Sequence, residues 1–127
     1  MEGVLMVADS QIDGFNPRNL DEWLEKYGYM VLTSDNGADG VALCKEEQPD
    51  AVLMDIVMPG LNGFQATRQL SKDASTGHIP IIIVTTKDQE TDRVWGMRQG
   101  AKNYLTKPIK ENILLETINE VLSDVAA

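Results

Sequence analysis

Short apolar runs recur along the chain, and several of them contain no polar residue. The runs begin at Val4, Tyr29, Ala51, Ile79 and Tyr104. A strand with one solvated face alternates apolar and polar residues, whereas a strand covered on both faces reads as a continuous apolar run. The pattern therefore predicts five strands in a largely buried parallel sheet.

The segments between these runs carry apolar residues at the spacing of helices. Asn16–Pro17 is a favourable start for the first helix, because Asn can cap a helix and Pro suits its first turn. Asp88 is the predicted cap of the fourth helix, with Val94 and Trp95 expected on its buried side. Five strands alternating with five helices predict an α/β fold with helices on both faces of the sheet.

Composition narrows the class of protein. The 127 residues are 43% hydrophobic and 24% charged, which predicts one globular domain over residues 1–127. The net charge of -9 argues against a nucleic-acid-binding protein, which needs a basic face. No apolar run is long enough to span a membrane, and no signal peptide is evident. The single cysteine, Cys44, cannot form an internal disulfide. Together these features lead us to expect a cytoplasmic domain without membrane insertion.

Four chemically useful residues follow four of the predicted strands: Asp9, Asp55, Thr85 and Lys107. Ligands of open α/β sheets bind at the carboxyl ends of the strands, so we expect these side chains to converge. Two carboxylates suit Mg²⁺, and a carboxylate is also a nucleophile toward phosphorus. The Lys107 ammonium and the Thr85 hydroxyl can bind phosphoryl oxygens.

Each of these residues has an ordinary alternative explanation. An Asp at a strand end is often a turn or capping residue, and a Thr there is common. Lys107 precedes Pro108, which restricts it to an extended conformation and permits a cis peptide bond between them. The combination of four matching residue types at four strand ends is what favours a phosphoryl-transfer site.

Three segments resemble the receiver domains of two-component response regulators, and the resemblance covers essentially the whole chain. Residues 53–63, LMDIVMPGLNG, are similar to the phosphoacceptor loop of that family, and residues 83–86 and 104–108 to its other two site loops. The stretches 54–70 and 84–92 most resemble single-domain regulators of chemotaxis-like systems that govern type IV pili and twitching motility. The resemblance implies a doubly wound, flavodoxin-like sheet of strand order 2-1-3-4-5.

The same resemblance implies a role for each matching position. Asp55 would accept a phosphoryl group from a chemotaxis-like histidine kinase, in a self-catalysed transfer that makes the chain a signalling protein and not an enzyme. Mg²⁺ would be bound by Asp9, Asp55 and the backbone carbonyl of Val57. Thr85 and Lys107 would bind the phosphoryl group.

The resemblance also implies how the signal leaves the domain. Tyr104 would be the switch aromatic, turning inward when Thr85 moves toward the phosphoryl group. The output surface would comprise the fourth helix, the fifth strand and the fifth helix. The partner would be a downstream motor or pilus-related protein, and the domain itself a monomer or a weak dimer.

Two departures from the family's pattern bear on metal binding. The family has two adjacent acidic residues after the first strand, whereas this chain has Ala8 and Asp9. The following loop is longer than usual and contains Asp13, which either replaces the lost carboxylate or is a turn residue before Gly14. A phosphorylation-independent binding module with a degraded metal site is therefore the alternative to a phosphorylation switch.

The residues beside the predicted site predict slow dephosphorylation. Val57 lies two residues after Asp55, and Lys87 lies two residues after Thr85. Neither side chain can readily orient an attacking water as a general base does. A phosphatase with an aspartyl nucleophile is disfavoured. Such enzymes typically have a second Asp two residues after the nucleophile, whereas this chain has Val57 at that position.

Overall fold

The computed structural model describes residues 3–9 and 18–126. Strands and helices alternate through these residues. The strands are β1 (Gly3–Ala8), β2 (Tyr29–Ser34), β3 (Ala51–Met54), β4 (Ile81–Thr85) and β5 (Asn103–Thr106). The helices are α1 (Arg18–Lys26), α2 (Gly37–Glu47), α3 (Gly63–Lys72), α4 (Glu90–Arg98) and α5 (Glu111–Ala126).

The five strands form one parallel sheet in the order β2-β1-β3-β4-β5, which confirms the predicted fold. The register pairs Ala8 with Met54 across β1 and β3, and Thr85 with Thr106 across β4 and β5. Each of these residues is at or next to the last position of its strand. The segments that follow β1, β3, β4 and β5 therefore leave the sheet along one edge.

Both faces of the sheet are covered, which explains the uninterrupted apolar runs. Along β1, Leu5 and Val7 pack into one buried cluster with Leu114 and Ile118 of α5. Met6 and Ala8 point the other way, into a second cluster formed with α2 and α3. Alternate residues of one strand thus enter different cores, so that neither face can be polar.

Helix α4 differs from the prediction. Its N-cap is Gln89, not Asp88, and the cap makes no side-chain hydrogen bond. Val94 and Trp95 are 41% and 49% exposed, so they do not form a buried face. The helix instead packs on the sheet at Gly96. Because Gly96 has no side chain, the helix backbone comes close to Ile83 and Tyr104. The predicted first-helix start at Asn16–Pro17 lies outside the described residues.

Within residues 3–9 and 18–126, no helix is long and apolar enough to cross a membrane.

Candidate functional site

Two buried carboxylates follow adjacent strands. Asp9 comes directly after β1 and Asp55 directly after β3, and they are 7% and 5% exposed. The Asp9 N–H donates to the carbonyl of Ser34 at 2.9 Å, and the Asp55 N–H to the carbonyl of Ala8 at the same distance. These bonds continue the sheet beyond its last residues, so the backbone fixes where both carboxylates lie.

Lys107 joins the two carboxylates. Its Nζ lies 2.6 Å from Asp9 Oδ2 and 3.3 Å from Asp55 Oδ2. The Lys107 N–H donates to the Thr85 carbonyl at 2.7 Å, which extends the pairing of β5 with β4. The Lys107–Pro108 peptide is cis. The structure therefore brings the residues after β1, β3 and β5 together beside Thr85, as the sequence predicted.

Burial and neighbouring charges shift the pKa values of both Asp55 and Lys107. Burial is the largest influence on the pKa of Asp55 and raises it. The positive charge of Lys107 lowers this pKa, the negative charge of Asp9 raises it, and hydrogen bonds from the Val57 N–H and the Thr85 hydroxyl lower it. The pKa of Asp55 is raised overall. Burial by itself lowers the pKa of Lys107, but its hydrogen bond to Asp9 and the two negative charges outweigh burial, so this pKa is also raised. A charged Lys107 leaves the site able to accept further positive charge.

Thr85 and Tyr104 are connected through the backbone of a single residue, Lys87. The buried Thr85 accepts a hydrogen bond at Oγ1 from the Lys87 N–H at 3.4 Å. The Lys87 carbonyl accepts one from Tyr104 Oη at 2.7 Å. Tyr104 is 2% exposed, so its ring lies inward. Burial and Asp92 raise the pKa of Tyr104 to about 12 against the opposing charge of Arg93, which keeps its hydroxyl a donor.

The start of α3 fixes the loop that follows Asp55. Asn62 caps this helix in a reciprocal pair with Gln65, with distances of 2.9 and 3.0 Å. The Gly63 N–H donates to the Ile56 carbonyl at 3.0 Å. A Cβ on Gly63 would lie 2.7 Å from Ile56 Cα and closer still to the Asp55 carbonyl oxygen. The need for a glycine at position 63 was not predicted from the sequence, although the sequence does show the capping pair of Asn62 and Gln65 around it.

The donors suit Mg²⁺, although the described residues offer few of them. Asp9 and Asp55 supply hard carboxylate oxygens, the donors that Mg²⁺ prefers. No group of three or more His, Cys, Asp or Glu side chains that could hold a metal occurs in the part of the chain that the structure describes. Ala8 is fully buried in an apolar cluster with Met54 and Met58, so its position contributes no ligand. Asp13 lies outside the described residues.

A family model for the response regulator receiver domain matches residues 4–119. The chain belongs to this family. Protein PilH of Pseudomonas aeruginosa is 63% identical over 123 residues, which are 97% of this chain and 99% of that protein. The response regulator PleD of Caulobacter vibrioides is 35% identical over 118 residues, which are 93% of this chain and 25% of PleD.

Solved structures agree with this assignment. A putative response regulator from Chloroflexus aurantiacus superposes with a TM-score of 0.90 over 97% of this chain and 99% of that one, and at 23% identity it supports the fold. The receiver domain of a Pseudomonas aeruginosa sensor histidine kinase has a TM-score of 0.84 at 26% identity, over 97% and 99% of the two chains. That structure has a magnesium ion coordinated in its active-site cleft.

The protein is thus a receiver domain of a two-component response regulator, a class of signalling protein that works with histidine kinases. Receiver domains in general bind Mg²⁺. The sequence resemblance to this family is confirmed.

Proposed function

We propose that Asp55 accepts a phosphoryl group from a histidine kinase and that residues 1–127 act as one phosphorylation switch. The observation that carries this proposal is the contact of Lys107 Nζ with both Asp9 and Asp55 at the carboxyl edge of the sheet. One cation between two buried carboxylates stabilises the site before any ligand arrives. It is also available to the oxygens of an incoming phosphoryl group.

The transfer follows from the position of Asp55. An Asp55 carboxylate oxygen attacks the phosphorus of phosphohistidine, a P–O bond forms, and the P–N bond to the imidazole breaks. The imidazole leaves with the bonding electron pair and takes up a proton. Lys107 is the cation that pairs with the added phosphoryl charge, and the Thr85 hydroxyl donates to one of its oxygens. Mg²⁺, when bound, reduces the repulsion between carboxylate and phosphoryl donor.

We assign the metal site to Asp9, Asp55 and the backbone carbonyl of Val57, with water in the remaining positions. The fully buried Ala8 leaves this site one carboxylate short of the family pattern. Asp13 is the candidate replacement. If Asp13 binds the ion directly or through water, Asp13→Ala weakens Mg²⁺ binding about tenfold. Unchanged affinity in a titration would leave Asp13 as a turn residue.

Tyr104 reports the state of Asp55 to the surface. The backbone of Lys87 connects the Thr85 hydroxyl to the Tyr104 hydroxyl, through its N–H and its carbonyl respectively. A shift of Thr85 toward a phosphoryl group therefore moves the acceptor of the Tyr104 hydrogen bond. Helix α4, strand β5 and helix α5 form the output surface. Because the charge of the chain is -9, the partner is a protein and not a nucleic acid.

The cellular process we propose is control of type IV pili and twitching motility, in the cytoplasm, by way of a chemotaxis-like kinase and a downstream motor or pilus-related protein. The support is the 63% identity with PilH over nearly both full lengths. Expression of this chain in a Pseudomonas aeruginosa strain lacking PilH should restore the parental twitching zone. Failure of both parent and Asp55→Asn to change the zone would contradict this assignment.

The phosphotransfer itself is tested with a purified, labelled histidine kinase of a chemotaxis-like system. We expect the label to pass to the parent when Mg²⁺ is present and not when it is chelated. Asp55→Asn is the matched control because it keeps the shape of the side chain and removes the nucleophile. Label on the Asn variant would place the acceptor elsewhere.

A phosphorylation-independent docking module is the second candidate. Two features favour it: Ala8 removes one carboxylate, and Lys107 already compensates part of the charge on the other two. In this case partner binding would be the same for the parent and for Asp55→Asn, with or without a phosphodonor. Under the switch proposal the two proteins differ only when a phosphodonor is present.

A further inference from the structure

We infer that Arg93 and Gly96 of α4 are positioning residues that hold Tyr104 inward, and that they thereby couple the Thr85 loop to the surface of α4. This inference rests on the proposed switch at Asp55 and extends it to α4. We call the contacts of Arg93 and Gly96 with Tyr104 the α4 clamp.

Gly96 provides the space for the ring. It is the buried residue of α4, and a Cβ there would lie 2.7 Å from Ile83 Cδ1 and 3.1 and 3.3 Å from two ring carbons of Tyr104. The first contact would force the end of the Ile83 side chain to move, and the two ring contacts are tight enough that the ring must shift by a few tenths of an ångström. The ring and the Ile83 side chain therefore pack directly on the helix backbone. Any larger residue at position 96 has to displace one of them.

Arg93 covers the same tyrosine one helical turn earlier. Its Nη1 donates to the Tyr104 carbonyl at 3.2 Å, and its Cζ lies 5.2 Å from the centre of the ring. The carbonyl belongs to β5, which is the last strand in the sheet order and pairs with β4. One guanidinium thus contacts both the backbone and the ring of Tyr104. An outward turn of the ring would remove the ring contact.

The far end of Tyr104 is held by the loop that responds to Thr85. Tyr104 Oη donates to the Lys87 carbonyl, and the N–H of Lys87 donates to Thr85 Oγ1. The ring is therefore fixed by the β4–α4 loop at its hydroxyl and by the α4 clamp at its face. Under the proposed switch, ligand binding at Asp55 favours the inward position of Tyr104. Because the α4 clamp favours the same position, it must also strengthen ligand binding at Asp55.

Arg93 can be separated from general effects of basic charge on α4. Arg98 is also exposed and lies on the same helix, so Arg98→Gln removes an equal charge as a matched control. Arg93→Lys keeps the charge and loses the planar group that donates to the carbonyl and covers the ring. Arg93 is on the surface, so its replacement leaves the buried core intact and keeps the test independent of how well Gly96→Ala folds.

The experiment uses the full chain labelled with fluorotyrosine, which gives one ¹⁹F NMR signal for each of its three tyrosines. We expect Arg93→Gln to lower the ratio of inward to outward Tyr104 about fivefold. Arg93→Lys should lower it less, and Arg98→Gln should not change it. Gly96→Ala should move the Tyr104 signal even though Arg93 is present. An unmoved signal in Arg93→Gln, or an equal shift in Arg98→Gln, would overturn the inference.

A second readout is the affinity for beryllofluoride with Mg²⁺, which mimics a phosphoryl group on Asp55. Because the inward form is the one that binds the phosphoryl mimic tightly, the apparent affinity of Arg93→Gln should fall by the same factor as its inward fraction. An affinity equal to that of the parent, despite a measured fall in the inward fraction, would contradict the coupling. A parent that binds no beryllofluoride would instead count against the switch at Asp55, while the ¹⁹F signals still decide whether the clamp exists.

Discussion

Lys107 Nζ lies 2.6 Å from Asp9 Oδ2, a contact between residues 98 positions apart in the chain. It joins the end of β1 to the end of β5 across the site. Because both side chains are largely buried, the pair is shielded from solvent far more than a surface ion pair. The same ammonium also contacts Asp55, so three charges share one small volume.

The raised pKa of Asp55 predicts a pH-dependent cost to stability. Below the unfolded pKa, near 3.9, the carboxyl is protonated in both states and its contribution is fully present. As the pH rises through the higher folded pKa, the native state must ionise a buried carboxyl and this contribution is lost. Asp55→Asn should therefore raise the unfolding free energy by about 1 kcal/mol near pH 7. The difference should shrink as the pH falls.

Thermal unfolding of parent and variant at several pH values measures this difference. Asp88→Asn is the control, because Asp88 is an exposed aspartate in the loop before α4. A difference between Asp55→Asn and parent that grows toward acid pH would show that ionised Asp55 stabilises the fold.

Removal of Lys107 should destabilise the protein in a way that Mg²⁺ repairs. Lys107→Met leaves two buried carboxylates without their cation, a change that costs about 3 to 5 kcal/mol for a broken buried pair. A divalent cation between the same carboxylates would offset the repulsion, so Mg²⁺ should raise Tm more in this variant than in the parent. The control is Lys102→Met, since Lys102 is exposed. An equal Mg²⁺ effect in all three proteins would mean that the ion binds elsewhere.

Gly60 in the β3–α3 loop and Gly63 at the start of α3 should differ sharply when replaced. Gly63→Ala places a Cβ 2.7 Å from Ile56 Cα, and the backbone of the phosphoacceptor loop has to shift, at a cost of about 3 kcal/mol. Gly60→Ala meets no atom within 4 Å and costs only the strain of its positive φ of 69°, about 1 kcal/mol. Chemical unfolding measures both values. Equal costs would show that the loop adjusts freely around Asp55.

The phosphorylated form should lose its phosphoryl group slowly. The Val57 side chain is 50% exposed and lies two residues after Asp55, and an apolar side chain cannot orient an attacking water. Val57→Asn supplies a hydrogen-bonding group at the same position and should shorten the lifetime about tenfold. Decay of the phosphorylated mass measures this lifetime. A parent that decays as fast as the Asn variant would contradict the prediction.

The fold and the convergence of the side chains at the strand ends were predictable because they depend on patterns that the sequence shows directly. Uninterrupted apolar runs such as Ala51–Met54 require cover on both faces, and polar residues directly after such runs must gather at one sheet edge. The convergence of Asp9, Asp55 and Lys107 followed from those two rules.

Helix α4 was not predictable by the same rules. Hydropathy placed Val94 and Trp95 inside, but the helix packs on the sheet at Gly96. The absence of a side chain at this position is what allows the close contact. The roles of Arg93 and Gly63 likewise depend on contacts with backbone atoms in neighbouring elements of the chain. Periodicity cannot reveal such contacts, because they involve no apolar pattern.

The most direct test of the phosphorylation switch is the intact mass of the protein after incubation with acetyl phosphate and Mg²⁺. We expect one phosphoryl adduct on the parent, none on Asp55→Asn, and none when the metal is chelated. Absence of an adduct on the parent, also after incubation with a phosphorylated chemotaxis-like kinase, would contradict it and favour the phosphorylation-independent docking module.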